Sequence, residues 1–165
     1  ALASYFAEVT EKTVQEGEVC PDILSLLLNC LYALDTLDKP LEQVKAVFQL
    51  RLLTLTGLAP LLDTCVVCGN PQPEEPRLHL LQGVLHCAAC RTQVGDGVSM
   101  PLSPAALAAA RYIVGGEAKK LFSFSLTPEA CKQLDQVTEA FLMTQQERGF
   151  RTLDYYKQLR RQSFS

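Results

Sequence analysis

The sequence predicts a mainly α-helical bundle that is interrupted by a small four-cysteine zinc-finger module with a short β-hairpin. Three observations predict this fold. Apolar residues recur at helical spacing before residue 58 and again after residue 101. Two Cys-x-x-Cys pairs lie between these regions. Two further helices start with a hydroxyl residue followed by proline. We expect the first helical part over 1–58, the zinc-finger insertion over 59–100 and the second helical part over 101–165.

Three helices are predicted in the first part. Residues 2–16 carry one apolar stripe, and Gly17 ends this helix. Pro21 begins a second helix that is apolar nearly all round, which predicts the central, buried element of the bundle. Pro40 begins a third helix, whose apolar residues continue at helical spacing up to Gly57. Together the three form a hairpin-linked bundle.

The cysteines of the insertion form the pattern typical of a structural zinc site. Cys65 and Cys68 make one pair, Cys87 and Cys90 make the other, and eighteen residues separate the pairs. Each pair lies on a tight turn, so that four thiolates supply the tetrahedral set that Zn²⁺ prefers. Since four sulfur ligands leave no open position for water, such a zinc ion stabilises a fold and does not catalyse a reaction. The alternatives are two disulfides or four unconnected thiols.

A short hairpin is predicted between the two pairs. Residues 77–81 and 84–86 are its strands, on either side of a Gln-Gly turn. His86 is adjacent to a cysteine, and a mixed histidine and cysteine ligand set is the alternative to four cysteines. We expect His86 to lie at the surface or to contact a metal ligand. Residues 95–97 contain two glycines and are predicted to be a flexible joint.

The second helical part is predicted from its N-terminal signals. Ser103 and Thr127 each supply an N-cap hydroxyl before a proline at the first helical position. The first of these helices is rich in alanine, which favours close packing against a neighbour. Leucine and phenylalanine alternate with serine over 121–126, and this stretch is interpreted as an extended connector. The predicted helices span 104–114, 128–147 and 152–161.

Composition restricts the function classes. The chain has 165 residues, 48% of them hydrophobic, which suits one ordinary globular domain or a domain with a small insertion. No apolar run is long enough to span a bilayer. Seven cysteines, four of them in a metal pattern, favour a reducing cytosol over a disulfide scaffold. The chain begins without methionine inside a helical pattern, so we expect further sequence upstream.

The sequence favours a binding protein over an enzyme. It has two histidines, both inside the insertion, and it contains neither a glycine-rich phosphate loop after a strand nor a Gly-x-Ser-x-Gly motif. The net charge of −3 is not typical of a nucleic-acid-binding surface.

The carboxyl-terminal stretch is locally basic and is the candidate DNA-binding surface. Aromatic residues are interleaved with its cations, and such residues can stack on bases while cations neutralise phosphates. The alternative is favourable charge near helix ends together with core aromatic residues. The candidate DNA-binding residues are Arg148, Arg151, Lys157, Arg160 and Arg161.

Six stretches carry a family resemblance. They are 3–8, 48–53, 56–60, 62–65, 83–91 and 102–107, and they cover the first helix, the entry to and exit from the cysteine module, and the restart of the helices. In their order and spacing they are similar to the RecO family of bacterial recombination mediators and DNA repair proteins. The resemblance covers the whole chain but lacks the OB-fold domain with which RecO proteins begin.

The resemblance implies a function in DNA repair through the RecF pathway. RecO-like proteins anneal complementary single strands, and with RecR they help RecA load onto strands coated by single-stranded-DNA-binding protein (SSB). Single-stranded DNA binds mainly through the OB-fold, whereas the helical domain is implicated in docking the acidic, apolar tail of SSB and in contacts with RecR. The resemblance also implies a location in the bacterial cytoplasm, with the nucleoid.

An SSB tail needs an apolar pocket with a cation at its rim to pair the terminal carboxylate. The candidates are Lys45, Arg51 and Arg111, because each lies on or beside an apolar helix stripe. The alternative function is a zinc-stabilised helical scaffold for protein–protein interaction that is unrelated to DNA.

Overall fold

The structure, a computed structural model, describes residues 1–14, 20–147, 149 and 151–164. It confirms a mainly helical fold with a small antiparallel sheet. None of the described helices is both long and apolar enough to cross a membrane. The helices are α1 (Leu2–Thr13), α2 (Pro21–Thr36), α3 (Leu41–Leu55), α4 (Pro104–Gly115), α5 (Pro128–Gln146) and α6 (Arg151–Ser163). The strands are β1 (Arg77–His79), β2 (Val84–His86) and β3 (Ser99–Pro101), and 3-10 turns cover Ala88–Gln93 and Ala118–Lys120.

The predicted helix starts after the insertion are confirmed. The Ser103 hydroxyl accepts a hydrogen bond from the backbone N–H of Ala106 at 3.2 Å and caps α4. The Thr127 hydroxyl does the same for α5 with the N–H of Ala130, also at 3.2 Å. Residues 121–126 form a connector without strand pairing, as expected. The predicted end of the first helix at Gly17 lies outside the described residues.

The prediction that the second helix is the central element is wrong, because α3 occupies that position. All residues from 43 to 50 are buried, as are Leu52 and Leu53. In contrast, α2 buries one face and leaves Leu24, Leu28 and Tyr32 exposed. The prediction for α2 depended on its apolar residues alone. It missed that α3 also buries polar side chains, whose partners come from distant parts of the chain.

Hydrogen bonds satisfy the buried amides of α3. The Tyr5 hydroxyl on α1 donates to Gln49 Oε1 at 2.8 Å, and Gln49 Nε2 donates to Thr138 Oγ1 on α5 at 3.0 Å. Gln43 Nε2 donates to the backbone carbonyl of Phe124 at 2.9 Å. These hydrogen bonds join α3 to α1, α5 and the connector. They also give the buried side-chain amides of Gln43 and Gln49 the partners that a buried polar group needs.

A lysine is buried in the same layer. Lys45 is 2% exposed, and its ammonium lies 3.0 Å from Asp135 Oδ1 and also contacts the Glu139 carboxylate. Lys157 on α6 contacts Glu139 from the outer side. Burial raises the pKa of Asp135 to about 6, although the charge of Lys45 acts in the opposite direction. The cluster therefore ties α3 to α5 and α6 through charges that are largely withdrawn from water.

The insertion folds as a three-stranded antiparallel sheet in the order β2-β1-β3. The predicted hairpin is present, with Arg77 opposite His86 and His79 opposite Val84. Its turn needs Gly83, whose φ is 65°, in the left-handed region that favours glycine. Neither β3 nor the 3-10 turn after Cys87 was predicted, because each is too short to show a hydrophobic period.

The predicted flexible joint at 95–97 is instead a turn held by hydrogen bonds. Arg91 Nη1 donates to the carbonyl of Gly95 at 2.7 Å, and His79 Nε2 donates to the carbonyl of Asp96 at 3.1 Å. Gly97 has a φ of 128°, and a Cβ there would lie 2.9 Å from the His79 ring. The turn thus places the backbone against a buried histidine, where only glycine fits.

Apolar residues of the insertion join the core of the helices. Leu62, Leu78, Leu80 and Leu85 are buried in the cluster that also contains Phe141 of α5. A Cβ at Gly83 would meet the Phe141 ring at 3.4 Å, so the hairpin turn packs directly on α5. The domain boundaries at 58/59 and 100/101 stay predictions.

Lys45→Met is expected to lower the free energy of unfolding by about 3 kcal/mol at pH 7, because it removes the buried cation between Asp135 and Glu139 and leaves only Lys157 beside Glu139. Urea denaturation followed by circular dichroism measures this loss. The control is Lys157→Met, which removes a 41% exposed cation from the same Glu139 and should cost less than about 1 kcal/mol. Equal losses in the two variants would contradict the role of Lys45 as the internal counter-ion.

Candidate metal centre

The structure brings the four predicted cysteines together at the surface beside the sheet. The Sγ atoms of Cys65, Cys68, Cys87 and Cys90 all lie within 4.8 Å of one another. Cys68 Sγ and Cys87 Sγ are 3.7 Å apart. A tetrahedron with Zn–S bonds of about 2.3 Å has sulfur–sulfur edges of about 3.8 Å. The spacing of the thiols therefore fits a four-sulfur metal site.

Backbone hydrogen bonds shape the first cysteine turn. The N–H of Gly69 donates to the carbonyl of Cys65 at 2.9 Å, and Gly69 has a φ of 73°. The N–H of Cys65 donates to the carbonyl of Asn70 at 2.9 Å. The N–H of Val66 donates to the carbonyl of Leu85 at 2.8 Å, which holds this turn against β2. Glycine after the second cysteine lets the chain reverse without strain.

The second cysteine turn follows directly from β2. Cys87 is the first residue after the strand, and Cys90 lies on the 3-10 turn, where its N–H donates to the carbonyl of Cys87 at 3.1 Å. Because Val66 is bonded to Leu85 of the same strand, the hairpin sets the distance between the two cysteine turns.

The surroundings move the pKa values of Cys65, Cys87 and Cys90 in different directions. Burial opposes the Cys65 thiolate, but backbone N–H donors at Cys68, Cys87 and Val67 outweigh it and lower the pKa of Cys65 to about 6. Burial, together with the neighbouring thiols, raises the pKa of Cys90 to about 12 and also raises the pKa of Cys87. Four thiolates at these distances repel one another unless a cation lies between them. A divalent metal ion bound between the thiolates would offset this electrostatic repulsion.

Both histidines of the insertion have other contacts. His86 is fully buried, so a surface position is wrong; its Nδ1–H donates to the carbonyl of Cys87 at 2.8 Å, and its Nε2 accepts from the Ser99 hydroxyl at 2.7 Å. His79 accepts from the N–H of Gln82 at Nδ1, at 3.2 Å, and donates from Nε2 to Asp96. Each histidine ring thus links two segments of the insertion. The ring of His86 also holds the backbone of Cys87, which is one of the four clustered cysteines.

Two polar side chains of the helical body hold the cysteine module. On α4, Arg111 Nε donates to the carbonyl of Leu62 at 2.8 Å, and Nη2 donates to the carbonyl of Pro71 at 2.9 Å. On α5, Gln145 Nε2 donates to the carbonyl of Leu80 at 2.8 Å. Arg111 therefore spans both sides of the first cysteine turn. No local pattern predicts these contacts, since the partners are distant along the chain.

The three candidate partner-binding residues occupy separate places. Arg111 lies against the cysteine module. Arg51 Nη1 donates to the carbonyls of Ile113 and Val114 at 3.0 and 3.2 Å, at the carboxyl end of α4. Lys45 lies at the floor of a groove between α3, α5 and α6. The structure does not bring the three together, and their use in partner binding stays a prediction.

The same groove collects most of the candidate DNA-binding residues. Lys157, Arg160 and Arg161 line it together with Lys45. Arg160 contacts the Glu42 carboxylate, and its guanidinium lies 5.4 Å from the centroid of the Phe164 ring. Arg148 and the side chain of Arg151 lie outside the described residues. DNA binding by this set stays a prediction.

Comparison with known proteins shows the family of the chain. The model of a family described as "Recombination protein O C terminal" matches residues 1–154. The chain belongs to this family. The predicted resemblance to RecO is thereby confirmed.

Several curated relatives carry the name "DNA repair protein RecO". That of Acetivibrio thermocellus is 28% identical over 159 residues, which cover 96% of this chain and 62% of the relative. That of Thermoanaerobacter sp. is 28% identical over 160 residues, which cover 96% and 63%. That of Anaeromyxobacter sp. strain Fw109-5 is 33% identical over 144 residues, which cover 86% and 55%. The chain therefore spans about six-tenths of the length of the curated RecO proteins it matches.

Cys65→Ser and Cys87→Ser are each expected to reduce bound zinc from about one equivalent to near zero, because serine is a poor zinc ligand and three sulfurs do not close the site. Inductively coupled plasma mass spectrometry of protein purified without chelators measures the metal. Structural zinc contributes on the order of 10 kcal/mol to folding, so both variants should also lose solubility.

The matched control is Cys20→Ser, since Cys20 is a half-buried free thiol outside the cluster. It should retain the full metal content. An unchanged metal content in both Cys65→Ser and Cys87→Ser would contradict the four-cysteine site.

Proposed function

We propose that this chain is a protein-binding part of a DNA repair and recombination mediator of the RecF pathway. It binds SSB and RecR, and in this way it assists single-strand annealing and the loading of RecA. The observation that carries the proposal is the family match over residues 1–154, whose relatives are named DNA repair proteins. The chain acts by binding, without turnover.

The metal in this proposal is a structural Zn²⁺ held by Cys65, Cys68, Cys87 and Cys90. The donor set supports it, because four sulfurs within 4.8 Å of one another match zinc coordination. When bound, the ion links the two cysteine turns. His86 orients the second turn through the Cys87 carbonyl, and Arg111 anchors the first turn to α4. These contacts give the metal a structural role in the proposal.

The groove between α3, α5 and α6 has the chemistry of a site for the SSB tail. Its apolar walls include Leu126, Pro128, Tyr156 and the exposed ring of Phe164. Such walls suit the apolar end of an acidic peptide. Lys132 stands at the rim and has no ion pair within the described part of the chain. It is the cation best placed to pair with a terminal carboxylate.

The charge of the groove also favours an acidic peptide. Five cations and three carboxylates line it, which leaves a net charge of +2. Each carboxylate already has an internal partner: Glu42 contacts Arg160, while Asp135 and Glu139 contact Lys45. The three carboxylates therefore hold the cations of the groove in place. Because each is paired, it repels an anionic ligand less than an unpaired carboxylate would.

We expect a fluorescently labelled peptide of the SSB tail to bind the chain saturably in an anisotropy titration, and to bind less tightly as salt is added. Lys132→Glu should weaken binding about tenfold, because a charge-assisted hydrogen bond to the terminal carboxylate is lost. Amidation of the peptide's terminal carboxylate should weaken binding to a similar extent.

The matched control is Lys119→Glu, an exposed lysine on the 3-10 turn outside the groove, which should bind the peptide like the parent chain. An equal loss in the two variants would show a non-specific charge effect and would exclude the groove. Absence of binding at high protein concentration would contradict SSB docking by this chain. If RecR also failed to coprecipitate, the alternative of a scaffold unrelated to DNA would be favoured.

A further inference from the structure

The outer face of α2 carries an apolar stripe. Leu24, Leu28 and Tyr32 are 57%, 56% and 59% exposed, and Leu31 between them is half-buried. The four positions follow the spacing i, i+4, i+7 and i+8. The opposite face of the same helix is buried in the core through Ile23, Leu26, Cys30 and Ala33. The exposed stripe is therefore separate from the face of α2 that packs into the core.

The spacing of the stripe suits a helical partner. Side chains at these positions lie on one face of an α-helix and cover about two turns, or about 12 Å. An amphipathic helix that docks on such a face buries its own apolar residues at the same spacing. Other exposed apolar side chains, such as Leu61 and Val66, lie on irregular segments and form no helical stripe.

The charges around the stripe are acidic. Asp22 lies at its amino-terminal end and Asp35 and Asp38 at its carboxyl-terminal end, and all three are exposed. No lysine or arginine occurs between residues 20 and 38. This pattern disfavours the phosphates of a nucleic acid. It also disfavours a second copy, because an antiparallel α2 pair would place Asp22 of one chain beside Asp35 of the other.

Neighbouring elements add few free cations to this face. Lys12 on α1 is paired with Glu8, and Arg51 on α3 donates to carbonyls of α4. The 3-10 turn 118–120 shares a small pocket with Asp22 and carries Lys119 and Lys120, of which Lys120 lies 3.9 Å from Glu117. Lys39, which follows Asp38, donates to the carbonyl of Phe124 at 3.2 Å, so Asp35 and Asp38 are the exposed charges at the carboxyl-terminal end of the stripe.

We propose that this stripe on α2 docks an amphipathic helix of a partner protein in which lysine or arginine residues flank an apolar face. The site lies on a different helix from the proposed SSB groove and has the opposite charge preference. It therefore does not depend on SSB binding, and the two proposals can fail separately.

The probe is a labelled helical peptide of leucine and lysine, with leucine at the spacing of the stripe. Its matched control is the same peptide with every lysine replaced by glutamate. Anisotropy titration against the full chain should show saturable binding of the basic peptide, and binding at least about tenfold weaker for the acidic one. The double variant L24S/L28S should weaken binding of the basic peptide about tenfold, since two leucines no longer contribute apolar area.

The control variant is Leu81→Ser, because Leu81 is 63% exposed at the hairpin turn and lies away from α2. It should bind the basic peptide like the parent chain. Equal binding of the two peptides, or unchanged binding by L24S/L28S, would overturn the proposal.

Hydrogen exchange locates the peptide independently of any variant. Protection that appears over residues 24–32 supports the proposal, whereas protection confined to α5 and α6 overturns it. A dimer of the free chain that L24S/L28S dissociates, measured by light scattering, would show that a second copy covers the stripe and would also overturn the proposal.

Discussion

The fold depends on the burial of α3 on all sides. Gln43, Lys45 and Gln49 are carried into the interior with the apolar residues of this helix, and each needs a partner there. Gln49 has one partner on α1, the Tyr5 hydroxyl, but the other partners lie on the connector and on α5, more than eighty residues later in the chain. A buried polar group without its partner costs about 1–3 kcal/mol. The helices before the insertion therefore reach their stable form only when the helices after it have packed against them.

The insertion connects the two helical parts, and its own contacts with α4 and α5 hold it against the core. The hairpin turn packs on Phe141, Gln145 bonds to the carbonyl of Leu80, and Arg111 bonds to backbone on both sides of the first cysteine turn. The cysteine cluster is thus fixed to α4 and α5. A metal ion there would hold together the two turns on which these contacts depend. Two further surfaces of the described part of the chain carry the proposed binding sites: the net positive groove between α3, α5 and α6, and the acid-flanked apolar stripe on α2.

Local signals in the sequence predicted much of this arrangement. The Cys-x-x-Cys spacing located the cluster, Ser103 and Thr127 located two helix starts, and the Gln-Gly turn located the hairpin. The prediction failed where a residue's environment is set by tertiary contacts. Apolar residues all round α2 suggested a central helix, yet its outer face is exposed. The hydrogen bonds from Arg51 and Arg111 to backbone carbonyls of distant segments were not predicted either. A single sequence shows neither contact, because neither depends on local spacing.

The most direct test of this account is hydrogen exchange of the full chain, measured by mass spectrometry before and after metal is removed with a chelator. We expect amides over 61–99 to lose protection first, followed by the carboxyl-terminal end of α5 around Phe141, while the buried amides of α1 and α2 keep theirs. The reason is that a bound metal ion would hold the two cysteine turns together, and the hairpin that joins them packs on α5. Unchanged exchange over 61–99 after metal removal, or an equal loss of protection in every helix, would contradict it.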